Sequence, residues 1–161
     1  AEENEGSGFA WTTSTEERNR LWKARHEFYW ASLQLRPGCT ALATDVCVPI
    51  SRLADCVNAA TAKAEELGLF APLVGHVGDG NFHISPLIDK DNPDEVAKTE
   101  DFTAWLAELA ISMDGTCTGE HGIGQGKRAY LSRELGQTPR YMAAIKAALD
   151  PLGIMNPGKI L

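Results

Sequence analysis

Hydrophobic and polar positions along the chain recur in blocks whose period changes, and each change marks an element. Between Thr15 and about Leu33, the residues Leu21, Trp22, Phe28, Tyr29 and Leu33 fall on one face at three- and four-residue spacing, the pattern of an amphipathic helix. Ser14-Thr15-Glu16-Glu17 matches a capping box, so this helix is expected to start near Thr15 and to stop before Pro37-Gly38. Residues 1–7 read as a loose lead-in and Phe9-Ala10-Trp11-Thr12 as a short strand. From Ala41 to Ile50 the period drops to two, with Val46, Val48 and Ile50 alternating against Asp45, Cys47 and Pro49. That is a strand ending at a proline. Ser51 can cap a second helix reaching Leu67, with Gly68 as its left-handed stop. Pro72-Leu73-Val74 leads into a hairpin whose second strand continues from Ile84 to Ile88. Asn92-Pro93-Asp94-Glu95 is a strong helix start, and Val96, Phe102, Leu106, Leu109 and Met113 mark that helix's inner side. A last helix opens at Thr138-Pro139 and stops at Asp150-Pro151. The apolar tail from Gly153 to Leu161 either docks on another surface or closes the domain.

The hairpin carries the first chemistry. Its centre, Gly75-His76-Val77-Gly78-Asp79-Gly80-Asn81-Phe82-His83, contains Asp79-Gly80, a pair that favours a two-residue type I′ turn. Counting outward predicts Gly78 opposite Asn81, Val77 opposite Phe82 and His76 opposite His83. Directly opposed residues share a face, with Cβ atoms roughly 5 Å apart. Two imidazoles so placed can share a metal ion, whose bonds to nitrogen are about 2.0–2.1 Å; they can equally be the polar edge of an ordinary hairpin. Downstream, Thr116-Cys117-Thr118 is followed by Gly119-Glu120-His121-Gly122-Ile123-Gly124-Gln125-Gly126-Lys127-Arg128. This glycine-rich run fits neither phosphate-binding nor dinucleotide-binding spacing. Glu120 could complete a His₂Glu set, a catalytic zinc ligand group that keeps a position open. His121 beside it would then be free to act as a base, imidazole being the side chain that titrates near neutrality. The plainer reading makes Glu120 a helix-start acid and His121 a surface residue. Arg25 lies on the apolar stripe of the first helix, where it either snorkels outward or faces a cleft that takes an anion.

Composition narrows the classes. With 161 residues, 43% apolar and 23% charged, the chain fits one soluble globular domain with a real core. A net charge of −7 argues against nucleic acid or an anionic membrane as the main partner. No apolar run approaches the ~20 residues of a spanning helix, and no signal peptide is visible. The start, Ala1-Glu2-Glu3-Asn4, reads as a cut end. Cys39, Cys47, Cys56 and Cys117 include no Cys-x-x-Cys pair. They are expected to be reduced thiols packed as small apolar groups in a cytoplasmic compartment, Cys117 included.

Together, GHVGDGNFH, GTCTGEHGIGQGKR and GIMNPGKIL, with RLWKARHEFYW and TDVCVPISRL, resemble the C-terminal substrate domain of FAD-linked oxidases in the vanillyl-alcohol oxidase superfamily, on the D-lactate dehydrogenase branch. The resemblance runs in order from about Phe9 to Leu161. It implies an α+β fold, an antiparallel sheet with helices on one face, as part of a ferredoxin-like cap domain. The FAD-binding domain would precede this region in the same polypeptide. The resemblance further implies that His76, His83 and Glu120 bind zinc or manganese, that His121 takes the proton from a substrate hydroxyl, and that Arg25 holds the substrate carboxylate. Asn156, in the Asn-Pro motif, would lie near FAD. Relatives that act on D-2-hydroxyglutarate carry a lysine before the Asp-x-x-x-Pro motif and a threonine one turn after the arginine. Those positions here are Ala43 and Tyr29, which favours a monocarboxylate such as D-lactate. The implied partners are a small 2-hydroxy acid, the FAD-binding domain and an electron acceptor of unknown kind, with room for a homodimer. A eukaryotic source would imply the mitochondrion. The competing readings are a D-2-hydroxyglutarate or glycolate dehydrogenase of the same family, ether-lipid synthesis in a related branch, and a catalytically silent metal-binding module. The chain alone is expected to be inactive and to expose a hydrophobic scar where the missing half would sit.

Overall fold

The structure, a computed structural model, describes residues 11–161. The expected lead-in and the start of the strand expected at Phe9–Thr12 lie outside the described residues; Trp11 and Thr12 are irregular. Two compact units make up the chain, Ala1–Pro37 and Gly38–Leu161. The division falls at Pro37-Gly38, the pair that reads in sequence as a helix stop.

In the first unit, helices α1 (Thr15–His26) and α2 (Phe28–Gln34) meet at Glu27 where one helix was expected. Ser14 caps α1, its hydroxyl oxygen accepting from the Glu17 N–H at 3.4 Å. Only that half of the capping box forms, because the Glu17 carboxylate accepts from the Thr12 hydroxyl instead. The apolar stripe is present, and its Leu21, Trp22 and Tyr29 are exposed. The Arg25 guanidinium lies 5.5 Å from the centroid of the Trp22 ring, a cation–π arrangement.

The second unit holds the sheets. The strand expected over 41–50 is split into β1 (Thr40–Ala41) and β2 (Val46–Cys47). At Thr44 the hydroxyl donates to the Ile84 carbonyl at 2.9 Å and accepts from the Ile84 N–H at 3.1 Å, while the Thr44 N–H reaches that carbonyl only at 3.4 Å, so the side chain takes over much of what the ladder rung would do. Ile50 does not extend the inward face; it opens helix α3 (Ile50–Glu66) and is exposed. Ser51 is not the cap, since Pro49 holds that position without a side-chain bond. Gly68 does follow α3 in the left-handed region, at φ +69°.

β3 (Leu73–His76) and β4 (Asn81–Ile84) form the hairpin, and β4 is the centre of an antiparallel sheet ordered β2-β4-β3. Ser85-Pro86 interrupts the expected longer strand, and β5 (Leu87–Ile88) pairs with β1. The hairpin register differs from the expected one. His76 faces Asn81 and Val74 faces His83, because Val77–Asp79 forms a 3₁₀ turn closed by the Gly80 N–H to the Val77 carbonyl, 3.3 Å. Only Gly80 takes positive φ, +75°, whereas a type I′ turn would need it at Asp79 as well. The register moves by two residues, so every side chain keeps its face. His76 and His83 are diagonal neighbours on one side of the sheet instead of direct opposites.

Val46, Phe82 and Ile84 point to the other side. There they form the core with Leu53, Cys56, Ala60 and Ala64 of α3 and with Phe102, Leu106 and Ala110 of helix α4 (Pro93–Ser112). Asn92 caps α4 as expected, accepting from the N–H groups of Asp94 and Glu95. Val96 and Leu109, expected on its inner side, are half-buried, while Thr99 and Ala107 are fully buried. The arrangement is α+β, an antiparallel sheet with helices α3 and α4 on one face, as expected. Beyond the glycine-rich run, a 3₁₀ turn (Arg128–Tyr130) and the short helix α5 (Leu131–Leu135) precede α6 (Thr138–Leu149). The sequence pattern did not reveal α5. Asp150 reverses the chain after α6 by accepting from the Ile154 and Met155 N–H groups at 3.0 Å each. The tail then reaches back to the glycine-rich loop: the Ile160 N–H donates to the Gly124 carbonyl at 2.7 Å, and Arg128 donates to the Gly158 carbonyl at 3.4 Å. Tyr141, Ile145, Leu149 and Ile154 are exposed. Among the described residues no helix is long and apolar enough to cross a membrane.

Candidate functional site

The face of the sheet opposite α3 and α4 carries the histidines, and the loop from Thr116 to Lys127 lies over it. An isolated bridge between Thr116 and Cys47 starts this loop along the free edge of β2. The loop brings Glu120 over the hairpin. Its Oε1 lies 3.1 Å from Nε2 of His83 and 3.5 Å from Nε2 of His76, and the three donor atoms all fall within 4.8 Å of one another. The His121 ring stacks on that of His83, with centroids 5.2 Å apart and planes 19° from parallel. Its Nε2 is 3.8 Å from the same Glu120 oxygen.

The hydrogen bonds of His83 bear on what this oxygen can hold. Nδ1 of His83 lies 2.8 Å from the Thr44 carbonyl, which accepts only, so Nδ1 carries the proton. Nε2 is then the nitrogen that faces the Glu120 oxygen, at 3.1 Å: as a bare lone pair it can share a cation with that oxygen, and with a second ring proton it donates to it directly. Tetrahedral bonds of about 2.0–2.1 Å place neighbouring ligand atoms about 3.3 Å apart, and the observed 3.1 Å and 3.5 Å straddle that value. The residues therefore fit a divalent metal, with the histidine tautomer fixed by a backbone acceptor in the manner of metal-binding histidines. Glu120 and His121 are exposed, so the fourth side of the site faces outward.

Beneath the loop lies a residue that alternation in the sequence puts on the polar side of a strand. Asp45 is 2% exposed. Its carboxylate accepts from the N–H groups of Gly119 (2.9 Å), Glu120 (3.1 Å) and His121 (2.9 Å), from the Thr118 hydroxyl (3.0 Å) and from the Asn81 amide (2.9 Å). Lys127 Nζ lies 3.5 Å away and donates to the Asp45 backbone carbonyl at 2.7 Å. Burial alone would raise the carboxyl pKa. The amides of His121 and Glu120 and the Lys127 charge outweigh it and hold the group far below the usual carboxylate range. One signal was available in the sequence: Asp45 is the sole charge between Ala41 and Ile50. Gly119 meets the same pair closely, since a Cβ there would land on the Asn81 amide nitrogen and 2.7 Å from Asp45 Oδ1. Cys117 is fully buried next to Glu134, whose carboxylate accepts from the Cys117 N–H at 3.0 Å. Burial, then the Glu134 carboxylate, push its thiol pKa up to about 12.

Comparison with known proteins identifies the family of the chain. The family model described as FAD linked oxidases, C-terminal domain, matches residues 1–160. The chain belongs to that family. Within the FAD-linked oxidase C-terminal domain family it is 52% identical over 160 residues to a zebrafish (Danio rerio) protein named as a probable mitochondrial D-lactate dehydrogenase, covering 99% of this chain and 32% of the relative. It is 41% identical over 162 residues to a mitochondrial D-lactate dehydrogenase [cytochrome] of Arabidopsis thaliana, covering 100% and 29%. The chain thus spans about a third of the length of these relatives. A 4-ethylphenol oxidase from Gulosibacter chungangensis, solved with isoeugenol, shares the fold with a TM-score of 0.64 at 21% identity, over 92% of this chain and 31% of that one.

Of the residues singled out in sequence, the structure brings His76, His83, Glu120 and His121 together in the second unit. Arg25 belongs to α1 in the first unit. Asn156 lies in the tail, exposed and at φ +46°, directly after the turn that Asp150 holds.

Proposed function

We propose that this chain is the substrate- and metal-binding part of an FAD-dependent D-2-hydroxy acid dehydrogenase that oxidises D-lactate to pyruvate. The observation that carries the reading is one Glu120 oxygen at 3.1 Å and 3.5 Å from two imidazole nitrogens, on a chain 52% identical to a protein named for D-lactate. His76, His83 and Glu120 hold a divalent ion, zinc or manganese. That ion, when bound, lowers the pKa of a 2-hydroxyl as it does for water. His121, exposed and stacked on His83, takes the hydroxyl proton. Arg25 offers the substrate carboxylate a planar fork that fixes the reacting carbon. The flavin supplies the acceptor for the hydride from that carbon. It is held by a domain of the same polypeptide outside this chain, with Asn156 of the tail beside it. Ala43 and Tyr29 provide no second cation, so a monocarboxylate fits better than a dicarboxylate. The relatives named as mitochondrial make that compartment the proposed location in a eukaryote.

The test has two arms. The 161-residue chain is titrated with Zn²⁺ and with Mn²⁺ beside its Glu120→Gln variant. Dye reduction with D-lactate, glycolate and D-2-hydroxyglutarate is then measured on the polypeptide that includes the flavin-binding part. One equivalent of metal bound by the wild type and weakened in the variant, with D-lactate turned over fastest, is expected. Failure of the wild type to bind either metal refutes the site. Metal binding without turnover of any 2-hydroxy acid identifies a silent module.

A further inference from the structure

Three consecutive loop amides converge on one buried carboxylate, an arrangement that normally receives an anionic ligand. Here the anion is internal. Asp45 fills the nest made by the N–H groups of Gly119, Glu120 and His121, and the Thr118 hydroxyl closes its side. It binds the hairpin at the same time, through the Asn81 amide, and Asn81 is the residue opposite His76. The preceding residue, Thr44, presents the carbonyl that accepts from His83 Nδ1. One dipeptide, Thr44-Asp45, thus orients both halves of the histidine–carboxylate cluster.

We propose that Asp45 is a positioning residue that sets the loop so that Glu120 and His121 stand over the two hairpin histidines before any ion arrives. The inference rests on the metal-site reading given above. A buried carboxylate is a poor source of stability by itself, because its desolvation offsets much of what its partners return. Its partners, however, are the backbone of the very residues whose side chains form the cluster. Gly119 fits the same device, since any side chain there would strike the Asn81 amide and the Asp45 carboxylate.

Two measurements on the 161-residue chain test this. The first compares Zn²⁺ and Mn²⁺ dissociation constants, by chelator competition, in the wild type, Asp45→Asn and Thr118→Val, with the fold of each checked by circular dichroism. Loss of an outer partner of a metal ligand typically weakens metal binding about 10–100-fold. That loss is expected for folded Asp45→Asn, and a change under about threefold for Thr118→Val, which keeps the three backbone donors. A folded Asp45→Asn protein that melts earlier but binds metal as the wild type does would assign Asp45 to stability alone and overturn the proposal. The second needs no variant: hydrogen exchange at the amides of Gly119, Glu120 and His121 in metal-free wild type. Exchange at least about tenfold slower than in an unstructured peptide, and unchanged by metal, is expected. Amides that become protected only when metal is added would show that the ion, not Asp45, sets the loop. Absence of metal binding in the wild type strikes the metal-site reading itself, whereas binding that survives Asp45→Asn strikes only this inference.

Discussion

Gly119→Ala puts the loop-to-sheet contact under direct strain. The new Cβ would fall on the Asn81 side-chain nitrogen, 2.9 Å from its Cγ and 2.7 Å from Asp45 Oδ1. Both partners are buried, at 5% and 2% exposure, and neither is the loose end of a flexible chain. To make room, Asn81 must give up its 2.9 Å bonds to Asp45 and to the Val46 carbonyl. A hydrogen bond to a charged group is worth about 1.5–3 kcal/mol and a neutral one about 0.5–1.5. The alternative, moving the loop instead, carries the usual overpacking cost of about 1–3 kcal/mol. These routes compete and do not add, so the cheaper one sets the cost, a loss of about 1–3 kcal/mol. For a chain of this size each kcal/mol moves the melting temperature by about 2–4 °C, so a drop of roughly 2–12 °C is expected. Gly126→Ala is the internal control, because its Cβ meets nothing within 4 Å and its φ is not positive; it should stay within about 0.5 kcal/mol of the wild type. Thermal unfolding followed by circular dichroism at 222 nm compares the three proteins. If Gly119→Ala melts together with Gly126→Ala, the close approach described above is wrong.

Other consequences are simpler to read. Phe102 is fully buried between α3, α4 and the sheet, and Phe102→Ala should cost about 3–5 kcal/mol, seen as a lower urea midpoint with the slope unchanged. Asn92→Ala removes the acceptor for two N–H groups of α4 and should cost about 1 kcal/mol in the same assay, with Asn92→Asp close to neutral. The Cys117 thiol, held up to about 12 by burial and Glu134, stays protonated in the folded state while an unfolded thiol ionises near 8.5. The stability this contributes is complete below the unfolded value and is lost as pH rises toward the folded one. Urea midpoints above pH 9 should therefore fall more steeply in the wild type than in Cys117→Ala, and equal slopes would contradict the assignment. In native protein at neutral pH, iodoacetamide should label Cys39 ahead of Cys56 and Cys117, as mass spectrometry of the peptides would show.

Local signals carried much of this outcome. Asn92-Pro93 opens α4, Thr138-Pro139 opens α6, and the identity of the histidine–glutamate cluster is legible because its residues are chemically uncommon and bounded by glycines. What failed were inferences that depend on partners distant in sequence. Asp79-Gly80 favours a tight turn locally, but the Gly80 carbonyl is engaged by the Val48 N–H at 3.0 Å and Cys47 Sγ lies 3.2 Å from the Asp79 carbonyl. Contacts with β2 therefore shape the loop, and the register shifts. The histidines still met because a two-residue shift preserves face. Asp45 reads as a solvent-side residue by alternation, and it is buried only because a loop more than seventy residues later folds over it. Period alone cannot report a cover supplied from elsewhere in the chain.

The bonds from Ile160 to Gly124 and from Arg128 to the Gly158 carbonyl make the last few residues a backstop for the stretch that presents Glu120 and His121. An affinity handle or fluorescent reporter fused after Leu161 would pull on that stretch, and trimming to Pro157 would remove both bonds. Labels for probing the cluster are better placed on the exposed side of α3, at Glu65 for example, a helix that packs on the sheet face opposite the histidines.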